Sequence, residues 1–179
     1  MSRPISAALG LALIAVLSTA SAQQAPAGER GDMLAQLDDA ATKLAQLAEA
    51  IPQEKYAWRP AEGVRSVSQV FVHVASANFF FPTLVGVPAT SRPPRDAEQS
   101  VTDKAQVVDW LKRSFDHARA AIRGMSEADL DKPVDMFGRP STYRYVLLTM
   151  VSHAHEHLGQ SIAYARGNGV VPPWSAGGN

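Results

Sequence analysis

The sequence predicts an all-α protein whose helices pack as an up-down four-helix bundle. Four segments place their apolar residues at intervals of three and four, which is the period of an amphipathic helix. Proline, glycine and serine separate these segments, and no stretch alternates apolar and polar residues as a half-buried strand does. Helices of this length bury their apolar stripes by packing against each other, which gives a bundle.

The first two helices have clear boundary residues. The first is predicted over residues 29–50, and Pro52 ends it because the residue before a proline is pushed out of the helical conformation. A loop over residues 52–65 follows. Ser66 begins the second helix, and Gln69 completes a capping box. Apolar residues cover more than one face of the second helix, so we expect it to be largely buried.

The second half of the chain contains the other two helices. Residues 82–100 include four prolines and predict a long irregular connection, which is a candidate for a lid or rim. Thr102 is the predicted cap of the third helix, which Gly124 ends. The fourth helix is predicted to start at Ser141 and to run to about Arg166, because two glycines and two prolines follow it.

Residues 1–22 have the pattern of a secretory signal peptide. Arg3 supplies a positive charge, residues 7–20 carry no charge, and Ala20-Ser21-Ala22 has the small-x-small form that precedes a cleavage site. The apolar stretch is shorter than the roughly 20 residues of a permanent membrane anchor. This order of features favours a cleaved signal over a buried N-terminal helix or an uncleaved anchor. We therefore expect a periplasmic or secreted protein.

Composition limits the classes of partner and site. After the signal peptide, the sequence predicts a flexible leader over residues 23–31, a helical domain over residues 32–167 and a C-terminal tail over residues 168–179. Seventeen basic residues balance seventeen acidic residues, so we expect no binding to nucleic acid or to an anionic membrane surface. Once the signal peptide is cleaved, we expect no stable membrane anchor. The chain has no cysteine, so a transition-metal site would use histidine and oxygen ligands.

Three of the five histidines fall on apolar faces of predicted helices. His153 and His157 lie about 40° apart on one face of the fourth helix, and His73 lies on an apolar line of the second. Imidazoles in a bundle core are costly unless their nitrogens are satisfied, and a divalent metal bound by all three would satisfy them. Spacing alone leaves open a second interpretation, in which they are core histidines hydrogen-bonded to backbone carbonyls.

The remaining titratable side chains are weaker candidates. His155 points about 200° away from His153 on a helical wheel, so we expect it at the surface or behind the ligands. We expect His117 to face solvent. Glu156, Tyr143 and Tyr164 are candidates for a general acid or base, and the sequence identifies no catalytic residue.

Two ordered motifs resemble the DinB-like (DinB/YfiT) family of metal-binding four-helix bundles. The motifs are Tyr56-x-Trp58-x-Pro60-x-Glu62-Gly63, with Ser66 and His73 after it, and His153-x-x-x-His157-x-Gly159-Gln160. The resemblance implies an up-down bundle in which His73, His153 and His157 bind a divalent metal, most often zinc or nickel. The chain departs from the family at Glu156 and Leu158, where relatives often carry a second histidine and an arginine.

Two functions of different classes remain open at this point. One is an exported metal-dependent hydrolase or transferase that activates water or substrate at the three-histidine site. The other is a non-catalytic module of the cell envelope that binds metal or a small ligand. No cofactor besides the metal is expected, and the small-molecule partner is unknown. We expect Trp58 to pack at the end of the bundle, and residues 79–81, three phenylalanines, to serve the core or a homodimer interface.

Overall fold

The computed structural model describes residues 28–89 and 91–175. Four long helices make up most of this part of the chain, and a short helix and a hairpin lie in the connections. The helices are α1 Glu29–Ala50, α2 Val67–Leu84, α3 Ala97–Ser100, α4 Lys104–Arg123 and α5 Tyr143–Gly167, and the strands are β1 Pro133–Met136 and β2 Arg139–Thr142. Turns of 3₁₀ helix lie at Gln53–Lys55, Glu127–Asp131 and Pro173–Ser175.

The four long helices form the expected bundle. Helices α1 and α2 each pack against both α4 and α5, so α1 and α2 lie across the bundle from each other. Helices α1 and α5 run in one direction and α2 and α4 in the other, which gives the order up, down, down, up along the chain. The contacts that establish these directions are Asp38–Arg119, Glu49–Lys112, Glu29–Arg144, Gln36–His155, His73–His153 and Arg65–Tyr164.

The connection between α2 and α4 returns along the length of the bundle, because these two helices point the same way. Where it ends, the Gln53 side chain donates to the Thr102 carbonyl (2.8 Å) and accepts from the Lys104 N–H (2.7 Å). The prediction of an irregular segment over residues 82–100 is wrong at both ends, since α2 includes Pro82 and α3 closes the segment. Pro82 has no N–H to donate within α2, and the helix ends two residues later, at Leu84.

A β-hairpin precedes α5 in the otherwise helical fold, at a place where the sequence shows no strand pattern. Its strands pair antiparallel, and Phe137 and Gly138 form the turn with φ angles of 58° and 81°. Positive φ at both central residues is the mark of a type I′ turn, which fits the twist of a hairpin. Each strand has only four residues and contains a proline, so the sequence has no alternating pattern from which the hairpin could be predicted.

Two predicted helix starts shift by one residue. The cap of α4 is Asp103 rather than Thr102, because Asp103 Oδ1 accepts a hydrogen bond from the Gln106 N–H at 2.8 Å. The cap of α5 is Thr142, the last residue of β2, rather than Ser141. Both shifts reflect neighbouring residues that are all able to cap, among which tertiary packing chooses.

The ends of the chain are only partly described. The predicted signal peptide over residues 1–22 and residues 23–27 of the leader lie outside the described residues. Residues 29–31, assigned to the leader, belong to α1, which begins at Glu29. Among residues 28–89 and 91–175, no helix is long and apolar enough to cross a membrane.

The loop between α1 and α2 is anchored to the core. Tyr56 is fully buried, and its hydroxyl donates to the Ala48 carbonyl at 2.6 Å. Burial raises the pKa of this hydroxyl above its usual value, with smaller contributions from nearby carboxylates. Ser66 and Gln69 form the expected capping box at the start of α2. Both ends of the loop are thereby held in place.

The three phenylalanines of α2 divide between core and surface. Phe79 and Phe81 are buried, whereas Phe80 is 37% exposed and stacks on Phe137 of the hairpin, with ring centroids 5.9 Å apart. Core packing therefore accounts for two of the three rings. A homodimer interface remains a prediction.

Candidate metal centre

His73, His153 and His157 lie together between α2 and α5. His73 is in the middle of α2, and the other two face it from adjacent turns of the antiparallel α5. The Nε2 atom of His153 is 3.1 Å from Nε2 of His73 and 3.2 Å from Nε2 of His157. The structure thus brings together the three residues that spacing and resemblance had singled out.

The outer nitrogens of two of these rings have hydrogen-bond partners. Nδ1 of His73 is 3.2 Å from Oε2 of Glu98, and Nδ1 of His157 is 2.7 Å from Oε1 of Gln160. Both oxygens accept, so each Nδ1 carries the proton and each Nε2 presents a lone pair. The two lone pairs therefore converge on the same ring, that of His153.

The donor set fits a divalent metal ion. A single N–H on His153 could not satisfy the lone pairs of both neighbours, whereas one cation could accept electron pairs from all three rings. Zinc–nitrogen distances of about 2.0–2.1 Å place tetrahedral ligand atoms about 3.3–3.4 Å apart. The observed separations of 3.1 and 3.2 Å are close to this value. Outer nitrogens held by a carboxylate or an amide oxygen are typical of metal-binding histidines.

The site favours neutral imidazoles, the form that binds metal. Burial, with smaller effects from His157 and His73, lowers the pKa of His153 to about 4. Burial also lowers the pKa of His73, and the positive charge of Arg65 lowers it further, whereas Glu98 acts in the opposite direction. Nδ1 of His153 is buried and has no partner among the described residues, so no acceptor there stabilises the protonated ring.

A ring of hydrogen bonds connects the outer partners. Glu98 accepts from Nε of Arg65 at 2.7 Å, and the Arg65 carbonyl accepts from the Tyr164 hydroxyl at 3.1 Å. The Gln160 side-chain amide donates to the same hydroxyl at 3.0 Å while its oxygen holds His157. Two histidines from different helices are thus oriented by a single network that passes through Arg65.

The weaker candidates have structural surroundings. His155 lies at the edge of α5 with its Nε2 3.0 Å from the Gln36 carbonyl, and Glu156 is exposed. Tyr164 is buried with its hydroxyl in the network, and Tyr143 is half-buried and packs against the core. None of these hydroxyl or carboxyl groups is in hydrogen-bond contact with the three histidines.

The structure departs from the prediction for His117 and agrees with it for Trp58. The expectation that His117 faces solvent is wrong: its ring packs against Phe79, with centroids 5.4 Å apart, and burial lowers its pKa. Trp58 packs edge-on against Tyr164, with centroids 5.4 Å apart, in agreement with its expected place at the end of the bundle.

Sequence reasoning missed the residues that support the ligands. Glu98 is 25 positions from His73 in a segment without periodicity, so no spacing rule could connect them. Arg65 also carried no signal, since its role depends on Glu98 and on a contact of its backbone with α5. Gln160 did carry one: it lies one turn after His157 and closes the second motif.

Comparison with known proteins agrees with the fold. The model of the DinB superfamily matches residues 36–161. The chain belongs to the DinB superfamily. Among curated proteins, it is similar to the uncharacterized protein YjoA of Bacillus subtilis, with 27% identity over 125 residues that cover 68% of this chain and 79% of YjoA.

Solved structures of other DinB proteins have the same fold. A DinB-like protein from Bacillus cereus superposes with a TM-score of 0.70 at 20% identity, covering 81% of this chain and 95% of that one. YfiT from Bacillus subtilis superposes with a TM-score of 0.62 at 16% identity, covering 83% and 93%. YfiT is described as a probable metal-dependent hydrolase with an unusual four-helix bundle topology. At these identities, the likeness establishes the fold.

Proposed function

We propose that this DinB protein binds a divalent metal through His73, His153 and His157 and acts as a metal-dependent hydrolase. The observation that carries the proposal is the convergence of three Nε2 atoms, two of them with their outer nitrogens held by Glu98 and Gln160. The description of YfiT as a probable metal-dependent hydrolase supports the same class of reaction.

We propose zinc or nickel as the metal. All three donors are imidazole nitrogens and the chain has no cysteine thiolate, a donor set that suits zinc, nickel, copper and iron. Among these, zinc and nickel are the metals that the resemblance to DinB-like proteins implies. When bound, such an ion would polarise a substrate carbonyl and lower the pKa of its bound water to near neutrality, which is the chemistry of ester or amide hydrolysis.

The residues around the ligands have separate roles in this proposal. Glu98 keeps the proton of His73 on Nδ1, and Gln160 does the same for His157, so both Nε2 atoms stay free for the metal. Arg65 neutralises the charge of Glu98 and fixes its orientation. The transferase alternative would use the same metal with a nucleophile other than water.

Metal content measured on tag-free protein purified without chelators tests the proposal. We expect near-stoichiometric zinc or nickel in the wild type and its loss in His153→Ala and His157→Ala. His155→Ala is the matched control, since it removes a histidine from the same helix at the edge of the bundle. Absence of metal in the wild type after reloading would contradict the metal site.

Turnover separates an enzyme from a metal-binding module. The zinc- and nickel-loaded proteins are assayed against nitrophenyl esters, anilides and lactones, with the His153→Ala protein beside them. We expect hydrolysis that depends on both the metal and His153. A fully loaded protein that turns over nothing would support the non-catalytic module of the cell envelope instead.

We also propose that the protein is exported after cleavage of residues 1–22. The charge, apolar stretch and small-x-small site of the sequence support this. Expression of the full chain in a bacterial host, followed by N-terminal sequencing of the periplasmic and medium fractions, is the test. We expect a mature protein that begins at Gln23, and an uncleaved protein in the cytoplasm would contradict the proposal.

A further inference from the structure

A polar cavity of about 520 Å³ lies beside the three histidines. Its walls include Glu98 and Gln160, the two residues that hold the outer nitrogens of His73 and His157. Arg59 and Arg65 line the same cavity. The cavity is therefore separated from the candidate ligands by single side chains.

Both arginines have donors to spare. Arg65 uses only its Nε, on Glu98, so its terminal nitrogens form no hydrogen bond with the described residues. The Arg59 guanidinium likewise forms no hydrogen bond or ion pair with residues 28–89 or 91–175, and its side chain is exposed. Guanidinium groups present paired donors that match the two oxygens of a planar oxyanion.

The backbone on either side of these arginines is fixed. The Trp58 carbonyl accepts from the Val67 N–H at 3.0 Å, and the Arg65 carbonyl accepts from the Tyr164 hydroxyl at 3.1 Å. The Trp58 ring also packs on Tyr164. Both arginines thus extend from a loop whose two ends are held, which lowers the entropy lost when they bind a ligand.

The charges of the cavity favour a monoanion. Among its lining residues, Arg59 and Arg65 are cationic and Glu98 is anionic, which leaves a formal charge of one positive unit. A carboxylate matches this charge, whereas a phosphate monoester at neutral pH carries nearly twice as much. The lining is also mostly polar, so an uncharged apolar group would gain little there.

We propose that this cavity binds a carboxylate group of the substrate, so that the protein acts on small molecules with a carboxylate near the bond that is cleaved. The proposal rests on the proposed metal-dependent hydrolase and names its substrate class. Arg59 is the residue that decides specificity, because Arg65 is also bonded to Glu98, which in turn contacts the His73 ring.

Paired hydroxamate probes test the carboxylate site without turnover. The zinc-loaded wild type is titrated calorimetrically with the monohydroxamates of succinic, glutaric and adipic acid and with their neutral amides of equal length. The hydroxamate group binds the metal in every probe. The difference in affinity between a carboxylate probe and its amide therefore measures the contribution of the cavity. The three acids differ in chain length, so that one of them can match the distance between the metal and the cavity.

We expect one carboxylate probe to bind roughly tenfold more tightly than its amide, which is the gain of one charge-assisted hydrogen bond at a partly exposed site. Arg59→Gln should reduce this ratio to near one while its affinity for the amide probe stays the same. Arg123→Gln, which alters an exposed arginine in the last turn of α4, should leave the ratio unchanged.

The outcomes distinguish this proposal from the one on which it rests. Zinc bound and amide probes bound, but no preference for the carboxylate, would overturn the carboxylate site alone. A preference that persists in Arg59→Gln would overturn it as well, and tighter binding of a matched phosphonate would overturn the choice of a carboxylate. A protein that holds no zinc and binds neither probe would overturn both proposals.

Discussion

The antiparallel helix pairs α1–α4 and α2–α5 belong to one bundle and are filled differently. The buried residues of α1 are all apolar, and those of α4 are apolar except for Ser114. Leu44 and Leu111 are fully buried, and ion pairs such as Asp38–Arg119 lie at the edge of the pair. Between α2 and α5, three imidazoles lie together, those of His73 and His153 half-buried and that of His157 buried.

The two pairs therefore contribute differently, the α1–α4 pair to stability and the α2–α5 pair to the candidate site. The α1–α4 pair gains free energy from apolar burial and has no group to protonate in its interior. In the α2–α5 pair, imidazole nitrogens take the place of some of that apolar packing. Burial disfavours the charged forms of His153 and His73 and so lowers their pKa values. The crossover from α2 to α4 then supplies Glu98 to this pair.

Truncation of the apolar pair should have the largest effect on stability. Leu111→Ala is expected to lower the free energy of unfolding by about 2–5 kcal/mol, because it leaves a cavity in the core. Metal content should stay at the wild-type level, since Leu111 belongs to the other pair. Urea denaturation and elemental analysis measure both quantities. Leu148→Ala, at a residue 48% exposed, is the control and should change stability by no more than about 0.5 kcal/mol.

Making the α2–α5 pair apolar should remove the response to metal. At a zinc concentration 100 times its dissociation constant, the wild type should gain about 2.7 kcal/mol, and His153→Leu should gain nothing. Without metal, the variant should be at least as stable as the wild type, because it no longer buries an unpartnered nitrogen. Thermal unfolding with and without zinc measures this, and a zinc-stabilised variant would contradict the assignment of His153.

Loss of the carboxylate behind His73 should weaken the metal site without harming the fold. Glu98→Gln keeps the size of the side chain but removes the charge that holds the Nδ1 proton, so zinc affinity should fall about tenfold. Competition with a fluorescent chelator measures the affinity. Glu54→Gln, at an exposed residue of the first loop, is the matched control. Equal affinities in Glu98→Gln and the wild type would show that Glu98 does not support the site.

The smallest expected effect concerns pH and the contact between α4 and α2, where His117 packs against Phe79. Burial lowers the pKa of His117, so its neutral form stabilises the fold above the unfolded-state value of about 6.5, and this stabilisation is lost as the pH falls below it. In a His153→Leu background, His117→Gln should therefore make stability less dependent on pH between about 6.5 and 5. Urea midpoints across that interval measure the slope. A slope that the substitution leaves unchanged would mean that His117 protonates freely in the folded protein.

Local sequence determined the helices and part of the site. The period of the apolar residues gives four long helices, and the Ser66–Gln69 capping box marks the start of α2 because both partners lie within one turn. The pairing of His153 with His157 is also local, since residues four apart share a helical face. These features depend on contacts within a few residues, so the sequence alone reveals them.

Tertiary structure decided the helix directions, the hairpin and the surroundings of the ligands. The parallel course of α2 and α4 depends on a crossover that periodicity does not describe. His73 and His153 are 80 residues apart, and Glu98 meets His73 across an aperiodic segment. The sequence predicted the three histidines as candidate ligands. Their convergence, and the hydrogen-bond network through Arg65, depend on the packing of helices that are distant in the chain. Such contacts follow from the shape of the whole bundle, because no local spacing specifies them.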